Sequence, residues 1–116
     1  MNDLREYVES YKADLLRLYE ADYTDEERGQ MEADGESYDL YSYFSDCLDV
    51  EYTISSRGDL LGVRAYVALG GPNIWIDTRN GEVAGAWGCD RESAWLPSEI
   101  CEEINSIFEE WYELVK

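Results

Sequence analysis

Hydrophobic residues near both ends of the chain recur with the period of an α-helix. Across residues 3–21, apolar side chains such as Leu4, Val8 and Leu15 fall on one face at 100° per residue, with most charged side chains outside it. Across residues 97–115, a second apolar stripe lies opposite a row of glutamates. These patterns predict an N-terminal and a C-terminal amphipathic helix, and a proline in the first turn suits the start of the second one.

The segment between the first helix and residue 48 is also predicted to be helical in part. Residues 22–36 have no apolar face, but Thr24 and Glu27 fit a capping box and allow a short exposed helix. Residues 38–47 have apolar side chains at helical spacing, and Ser37 suits the N-cap position. We therefore expect a third helix there.

The hydrophobic period changes to two after residue 48. Alternating apolar and polar residues predict four strands, in the segments LDVEYTISS, LLGVRAYVALG, NIWIDT and EVAGAWG. The turn between the last two contains Asn80-Gly81, the strongest short hairpin signal, and strands joined by tight turns pair antiparallel. The outer face of this sheet should carry Arg64, Tyr66, Trp75 and Asp77.

Together these elements predict one α+β domain spanning residues 1–116. Residues 1–48 would be helical and acidic, residues 49–89 would form the sheet, and residues 97–115 would form the acidic C-terminal helix. A four-stranded antiparallel meander with the helices packed on one face is the simplest arrangement that buries every apolar stripe. The predicted order is α(α)α-ββββ-α.

Composition narrows the range of partners. The chain has 116 residues, with 27 acidic and 9 basic side chains and a net charge of −18. Binding to phosphates requires Lys and Arg, so this charge disfavours direct contact with nucleic acid or with an anionic membrane. No apolar run is long enough for a membrane span, and the acidic start MNDLREYVES differs from a signal peptide. We expect a cytoplasmic protein.

Residues for the common catalytic and metal sites are missing. The sequence has no histidine and no glycine-rich nucleotide-binding motif. Its cysteines, Cys47, Cys89 and Cys101, lack the paired spacing of a zinc site, and no histidine can activate one as a nucleophile. The acidic runs do not fit a calcium loop. We predict reduced thiols and a protein that is not an enzyme and holds no metal or cofactor.

Acidic residues concentrate in two stretches. The segment from Glu20 to Glu51 holds twelve acidic residues with Arg28 as its one base, and the last helix carries the glutamate row. Like charges one helical turn apart destabilise a fold unless a partner neutralises them. The natural partner is a basic surface, and carboxylate-studded helices can imitate the phosphates of DNA. The candidate partner-binding acids are Glu20, Asp22, Asp25, Glu26, Glu27, Glu32, Asp34, Glu36, Glu102, Glu103, Glu109 and Glu110.

A second candidate contact region is rich in tryptophan. The segment WIDTRNGEVAGAWGCDRESAW includes Trp75, Trp87 and Trp95. Trp87 should point inward by strand alternation, and Trp95 can cover the core before the last helix. The outward-facing Trp75, with Asp77 beside it, is the best candidate for a partner contact, because Trp, Tyr and Arg supply most interface hot spots.

The small size, acidity, aromatic content and absent catalytic motifs resemble small phage- or mobile-element-encoded inhibitors of host defence, including anti-restriction DNA mimics and anti-CRISPR proteins. The segment GGPNIWIDTRNGEVAGAWGCDRES followed by an acidic terminal helix, roughly residues 70 to 115, resembles short proteins of bacterial mobile elements. The resemblance implies a non-enzymatic inhibitor that works in the host cytoplasm and binds a basic nucleic-acid-binding protein such as a host nuclease. It assigns no functional residues.

Two other functions fit the same sequence. The chain can be a regulatory or immunity-type adaptor that binds a protein through the open face of the sheet. It can also be a housekeeping domain adapted to high salt, in which the acids are simply solvated. The scarcity of lysine (Lys12 and Lys116) fits this last interpretation, and the abundance of Tyr and Trp fits it less well.

Overall fold

The computed structural model describes residues 3–115, apart from the side chain of Val115. The class is α+β, as predicted, but the sheet has five strands rather than four. In chain order the elements are α1 (Asp3–Glu20), α2 (Asp25–Ala33), α3 (Leu40–Phe44), β1 (Asp49–Ile54), β2 (Leu60–Ala68), β3 (Asn73–Asp77), β4 (Glu82–Trp87), β5 (Asp90–Trp95) and α4 (Ser98–Val115).

The five strands form a meander in which each strand pairs antiparallel with the next. The fifth strand, β5, lies where the sequence predicted only a connecting loop. Gly88 and Cys89 form the two-residue loop before it, and Gly88 takes the positive φ of 62° that such loops require. The apolar alternation of β5 is interrupted because Glu92, on the face that packs against the helices, forms an ion pair with Arg5 at 3.7 Å.

Helices α1 and α4 cover the same face of the sheet and enclose one hydrophobic core. Gly85 in β4 lets α1 approach closely, because a Cβ atom there would lie 2.8 Å from Ile74 Cδ1 and 2.9 Å from Leu4 Cδ1. On the α4 side, the rings of Phe44 and Phe108 meet edge to face with centroids 5.3 Å apart. Short α3 is thereby fixed to α4.

The capping residues explain where the two short helices begin. Thr24 and Glu27 form the predicted capping box of α2, with both hydrogen bonds at 3.2 Å. Helix α3 is shorter than predicted, and its N-cap is Asp39 rather than Ser37. The Asp39 carboxylate accepts a hydrogen bond of 2.8 Å from the backbone N–H of Ser42. Among the described helices, none has the length and apolar character needed to cross a membrane.

Several apolar side chains within the predicted strands and helices lie at the ends of elements and remain exposed. Leu61 and Leu69 lie near the two ends of β2, where the pairing with the neighbouring strands is irregular. Leu114 lies in the last turn of α4, beyond the sheet. Trp95 does not cover the core either, since it is 69% exposed on the edge strand β5. The hydrophobic period thus predicted which face of each element is apolar. It did not predict how far along the element that face is buried.

Candidate partner-binding surface

All twelve acids that the sequence nominated on the helical segments are exposed. We refer to these twelve residues as the acidic helical surface. Helix α2 and its flanking loops supply seven of them, the last residue of α1 supplies one, and α4 supplies four. The members are Glu20, Asp22, Asp25, Glu26, Glu27, Glu32, Asp34, Glu36, Glu102, Glu103, Glu109 and Glu110.

The acidic helical surface has no internal counter-ion within residues 3–115. The ion pairs among the described residues are Arg5 with Glu92, Arg17 with Asp14, and Arg64 with Asp77, and none involves the acidic helical surface. Two of its members make local hydrogen bonds, since Glu27 caps α2 and Asp34 accepts from Gln30. The other carboxylates face water, and no basic side chain among residues 3–115 lies within ion-pair distance of them.

Charge is distributed unevenly between the helices and the sheet. Residues 3–48 carry fourteen acidic and four basic side chains, and residues 98–115 carry six acidic and none basic. Residues 49–97, which contain the whole sheet, carry seven acidic and four basic side chains. Nearly all of the excess negative charge therefore belongs to the helical layer, and the sheet is close to neutral.

Helix α2 buries none of its residues, so core packing does not account for its sequence. Local interactions support it instead. Its capping box satisfies backbone donors, and Asp25, Glu26 and Glu27 in its first turn interact favourably with the helix dipole. An exposed helix with this composition chiefly displays carboxylates.

A cleft of about 570 Å³ connects α2 with α4. Arg28 of α2 and Glu103 of α4 line it from two sides, and Tyr19 and Tyr41 contribute half-exposed rings. The guanidinium carbon of Arg28 lies 5.5 Å from the centroid of the Tyr38 ring, and its Nε is buried without a hydrogen-bond partner. The two acidic stretches, far apart in sequence, thus border one concave feature.

The face of the sheet away from the helices carries an aromatic cluster centred on Trp75. Trp75 faces outward from β3, as predicted, because Ile74 and Ile76 on either side are fully buried. Its ring lies 5.9 Å from that of Tyr66, and the guanidinium carbon of Arg64 lies 5.4 Å from its centroid. Interaction with Tyr66 is the largest influence on Arg64 and raises its pKa above the ordinary value. The carboxylate of Asp77 raises this pKa further, and desolvation of the guanidinium opposes the shift.

Asp77 is the one nominated residue that the structure makes unsuitable for a partner contact. It is only 5% exposed. Its carboxylate pairs with Arg64 at 3.4 Å and accepts hydrogen bonds from the backbone N–H and the side-chain amide of Asn80, at 2.9 and 3.1 Å. Asp77 therefore holds the β3–β4 turn together, and we remove it from the contact set.

A shallow pocket of about 440 Å³ lies beside Trp75 on the open face. Small residues make room for it, because Ala84 and Ser93 occupy the neighbouring positions on β4 and β5. The charged residues that line it are Glu82, Arg91 and Glu92. The indole Nε1 of Trp75 is buried and has no hydrogen-bond partner.

Sequence reasoning missed a second exposed aromatic pair. Trp87 was expected in the core, yet it is 41% exposed at the end of β4, where it meets Tyr7 of α1 edge to face. Strand alternation predicted the correct face of the sheet. The available signal was Gly88, because a turn directly after Trp87 places that residue at the end of its strand.

Burial raises the pKa of thiol and phenol groups among the described residues. Cys47, Cys89 and Cys101 are free, and burial raises the pKa of Cys47 and of Cys101, which is the opposite of thiolate activation. Burial also raises the pKa of Tyr43, whose hydroxyl has no hydrogen-bond partner. Among residues 3–115, no group of three or more His, Cys, Asp or Glu side chains is arranged to hold a metal ion.

Comparison of the chain with protein-family models, curated proteins and solved structures finds no match.

Proposed function

We propose that this protein is a non-enzymatic inhibitor whose acidic helical surface occupies the basic nucleic-acid-binding surface of a host defence nuclease. The observation that carries the proposal is the set of twelve exposed carboxylates without an ion pair among the described residues. Such a surface opposes its own folding through like-charge repulsion, and a cationic partner would remove that cost. Opposite fields would also make association fast and sensitive to salt.

The density of carboxylates on α4 is suited to imitating one strand of nucleic acid. Its 18 residues span about 27 Å at 1.5 Å per residue, and they carry six glutamates. A single strand of B-DNA presents about eight phosphates over that length. Asp39, from the acidic segment that contains α2, lines the same cleft as Glu103, and the exposed carboxylates of that segment would provide a second row.

The proposal is tested by inhibition of nucleases that differ in fold, with two matched variants. Each variant replaces four exposed or half-exposed acids by their amides, so both lose the same charge. The helical variant combines E26Q, E32Q, E109Q and E110Q. The sheet variant combines E51Q, D59N, E82Q and D90N.

The wild-type chain and the sheet variant should block DNA binding by at least one restriction endonuclease or RNA-guided nuclease. The helical variant should need at least about tenfold more protein for the same inhibition, because it loses a third of the acidic helical surface. Equal potency of the two variants, or no inhibition of any nuclease in the panel, would count against the proposal.

A second candidate function, an adaptor that binds a protein through the open sheet face, is favoured by the pocket beside Trp75. Trp75→Ala together with Arg64→Ala should then abolish partner binding, while reversing the charges of Asp25, Glu26 and Glu27 should matter little. Under the first proposal the order of the two effects is reversed. Circular dichroism of both variants would show whether they remain folded.

A further inference from the structure

A pocket of about 400 Å³ lies where the start of α1 meets the end of β4. Two aromatic rings form its walls: those of Tyr7 and Trp87 have centroids 5.8 Å apart and planes inclined at 66°. Both side chains are more than two-fifths exposed. Asp3, Glu6 and Ser10 complete the lining.

The pocket is built by ordinary helix and loop geometry. Asp3, Glu6, Tyr7 and Ser10 are spaced three and four residues apart, so they share one side of the first two turns of α1. The indole of Trp87 is held on its other side by the loop before β3. A Cβ atom on Gly71 would lie 3.4 Å from Trp87 Nε1.

The lining is suited to a cation and to little else. Its described residues supply two carboxylates, two aromatic rings and a hydroxyl group, and none of them is basic. Among residues 3–115, Asp3 and Glu6 form no ion pair, and the neighbouring Arg5 pairs with Glu92 instead. The helix dipole also stabilises carboxylates in the first turn of a helix. That interaction does not require two exposed aromatic rings beside the carboxylates.

The other exposed or half-exposed sheet tryptophans show what is missing at Trp87. The Arg64 guanidinium carbon lies 5.4 Å from the centroid of the Trp75 ring, and Lys12 Nζ lies 5.7 Å from that of Trp95. Within the described part of the chain, no cation lies over Trp87. Trp75 and Trp95 thus each have a basic side chain over the ring. Among the described residues Trp87 has none, although two carboxylates lie beside it.

We propose that this pocket binds an arginine side chain of the basic partner. A planar guanidinium can stack on the Trp87 indole and donate hydrogen bonds to the carboxylates of Asp3 and Glu6, which an ammonium group does less completely. The inference rests on the proposed function for the source of the arginine. It goes beyond that function by assigning a specific anchor outside the acidic helical surface.

The pocket can be tested on the whole chain without any nuclease. N-acetyl-arginine amide would be titrated at low salt while the indole N–H signals are followed by nuclear magnetic resonance. The Trp87 signal should shift and saturate. N-acetyl-citrulline amide, which has the same shape without the charge, should bind at least about tenfold more weakly.

Two variants and two matched controls locate the binding. Trp87→Leu and Glu6→Gln should each weaken binding of the arginine probe severalfold. Trp95→Leu and Glu99→Gln, which remove a ring and a charge outside both the pocket and the acidic helical surface, should leave it unchanged. Glu6 is exposed, so E6Q keeps the test decisive if the tryptophan variant fails to fold.

The inference is overturned if citrulline amide binds as tightly as arginine amide, or if the control variants weaken binding as much as the pocket variants. These results are independent of nuclease inhibition. A pocket that binds the probe in a protein that inhibits no nuclease would refute the proposed function alone, and the reverse pattern would refute the pocket alone.

Discussion

Replacing Glu109 and Glu110 by glutamine should make the protein more stable. Both side chains are exposed on α4, and neither has an ion pair among the described residues. Glu113 lies four residues after one and three after the other, so two like-charge pairs stack along the helix. The last turn of α4 contains no basic residue to offset them.

The expected gain follows from these contacts. Each like-charge pair at this spacing costs about 0.2–0.5 kcal/mol. Acidic groups toward the C-terminal end of a helix also oppose its dipole, by a few tenths of a kcal/mol at this distance from the end. The double variant E109Q/E110Q should therefore be about 0.5–1.5 kcal/mol more stable, which corresponds to a rise in Tm of roughly 2–6 °C for a domain of this size.

Urea unfolding at 20 mM and 500 mM NaCl is the appropriate assay. The gain should be largest at low salt and should shrink at high salt, because the Debye length falls from about 20 Å to about 4 Å. Glu99→Gln is the matched control. Glu99 repels its neighbours on α4 but lies in the first turn, where the dipole favours it, so its replacement should change stability little.

A destabilised double variant, or a gain that does not depend on salt, would refute the reasoning that these carboxylates oppose folding. The wild-type curves also test the high-salt interpretation of the acidic surface. A protein adapted to high salt should need molar salt to fold, whereas simple self-repulsion should be relieved by a few tenths molar.

Three further predictions concern the core and the thiols. Gly85→Ala should destabilise the fold by about 1–3 kcal/mol in urea unfolding, since the new methyl would lie 2.8 Å from Ile74 Cδ1. Burial raises the pKa of Tyr43 above its ordinary value of 10.0, so as the pH rises the phenol ionises in the unfolded chain before it does in the folded one. This difference favours unfolding at high pH. The free energy of unfolding of the wild type should therefore fall relative to that of Tyr43→Phe between about pH 9 and pH 11. In native protein a thiol reagent should modify exposed Cys89 first and buried Cys101 last, and equal rates would contradict the described burial.

Most of the fold could be predicted because α1, α3, α4 and four of the strands have clear hydrophobic periods. The fifth strand could not, because Glu92 faces the helices through its ion pair with Arg5 and so interrupts the apolar alternation. The two-residue loop with Gly88 was the remaining signal for it. With a charged residue at a helix-facing position, β5 lacks the alternating hydrophobic pattern from which a strand is predicted.

The exposure of the acidic helical surface was predictable, because carboxylates without partners remain in water. The role of Asp77 was not, since it depends on the register that places Asp77 opposite Arg64 on β2. Trp87 was misjudged for a related reason. Alternation gives the face of a strand, but the exposure of Trp87 depends on its place at the end of β4.

The most direct test of the central claim is an equilibrium competition assay. A nuclease that the protein inhibits is loaded with fluorescent duplex DNA, and the DNA is displaced by wild type, helical variant or sheet variant at several salt concentrations. Our account predicts that wild type and sheet variant displace the DNA alike and lose affinity as salt rises, while the helical variant is at least about tenfold weaker at low salt. Displacement by the helical variant at wild-type affinity would contradict it.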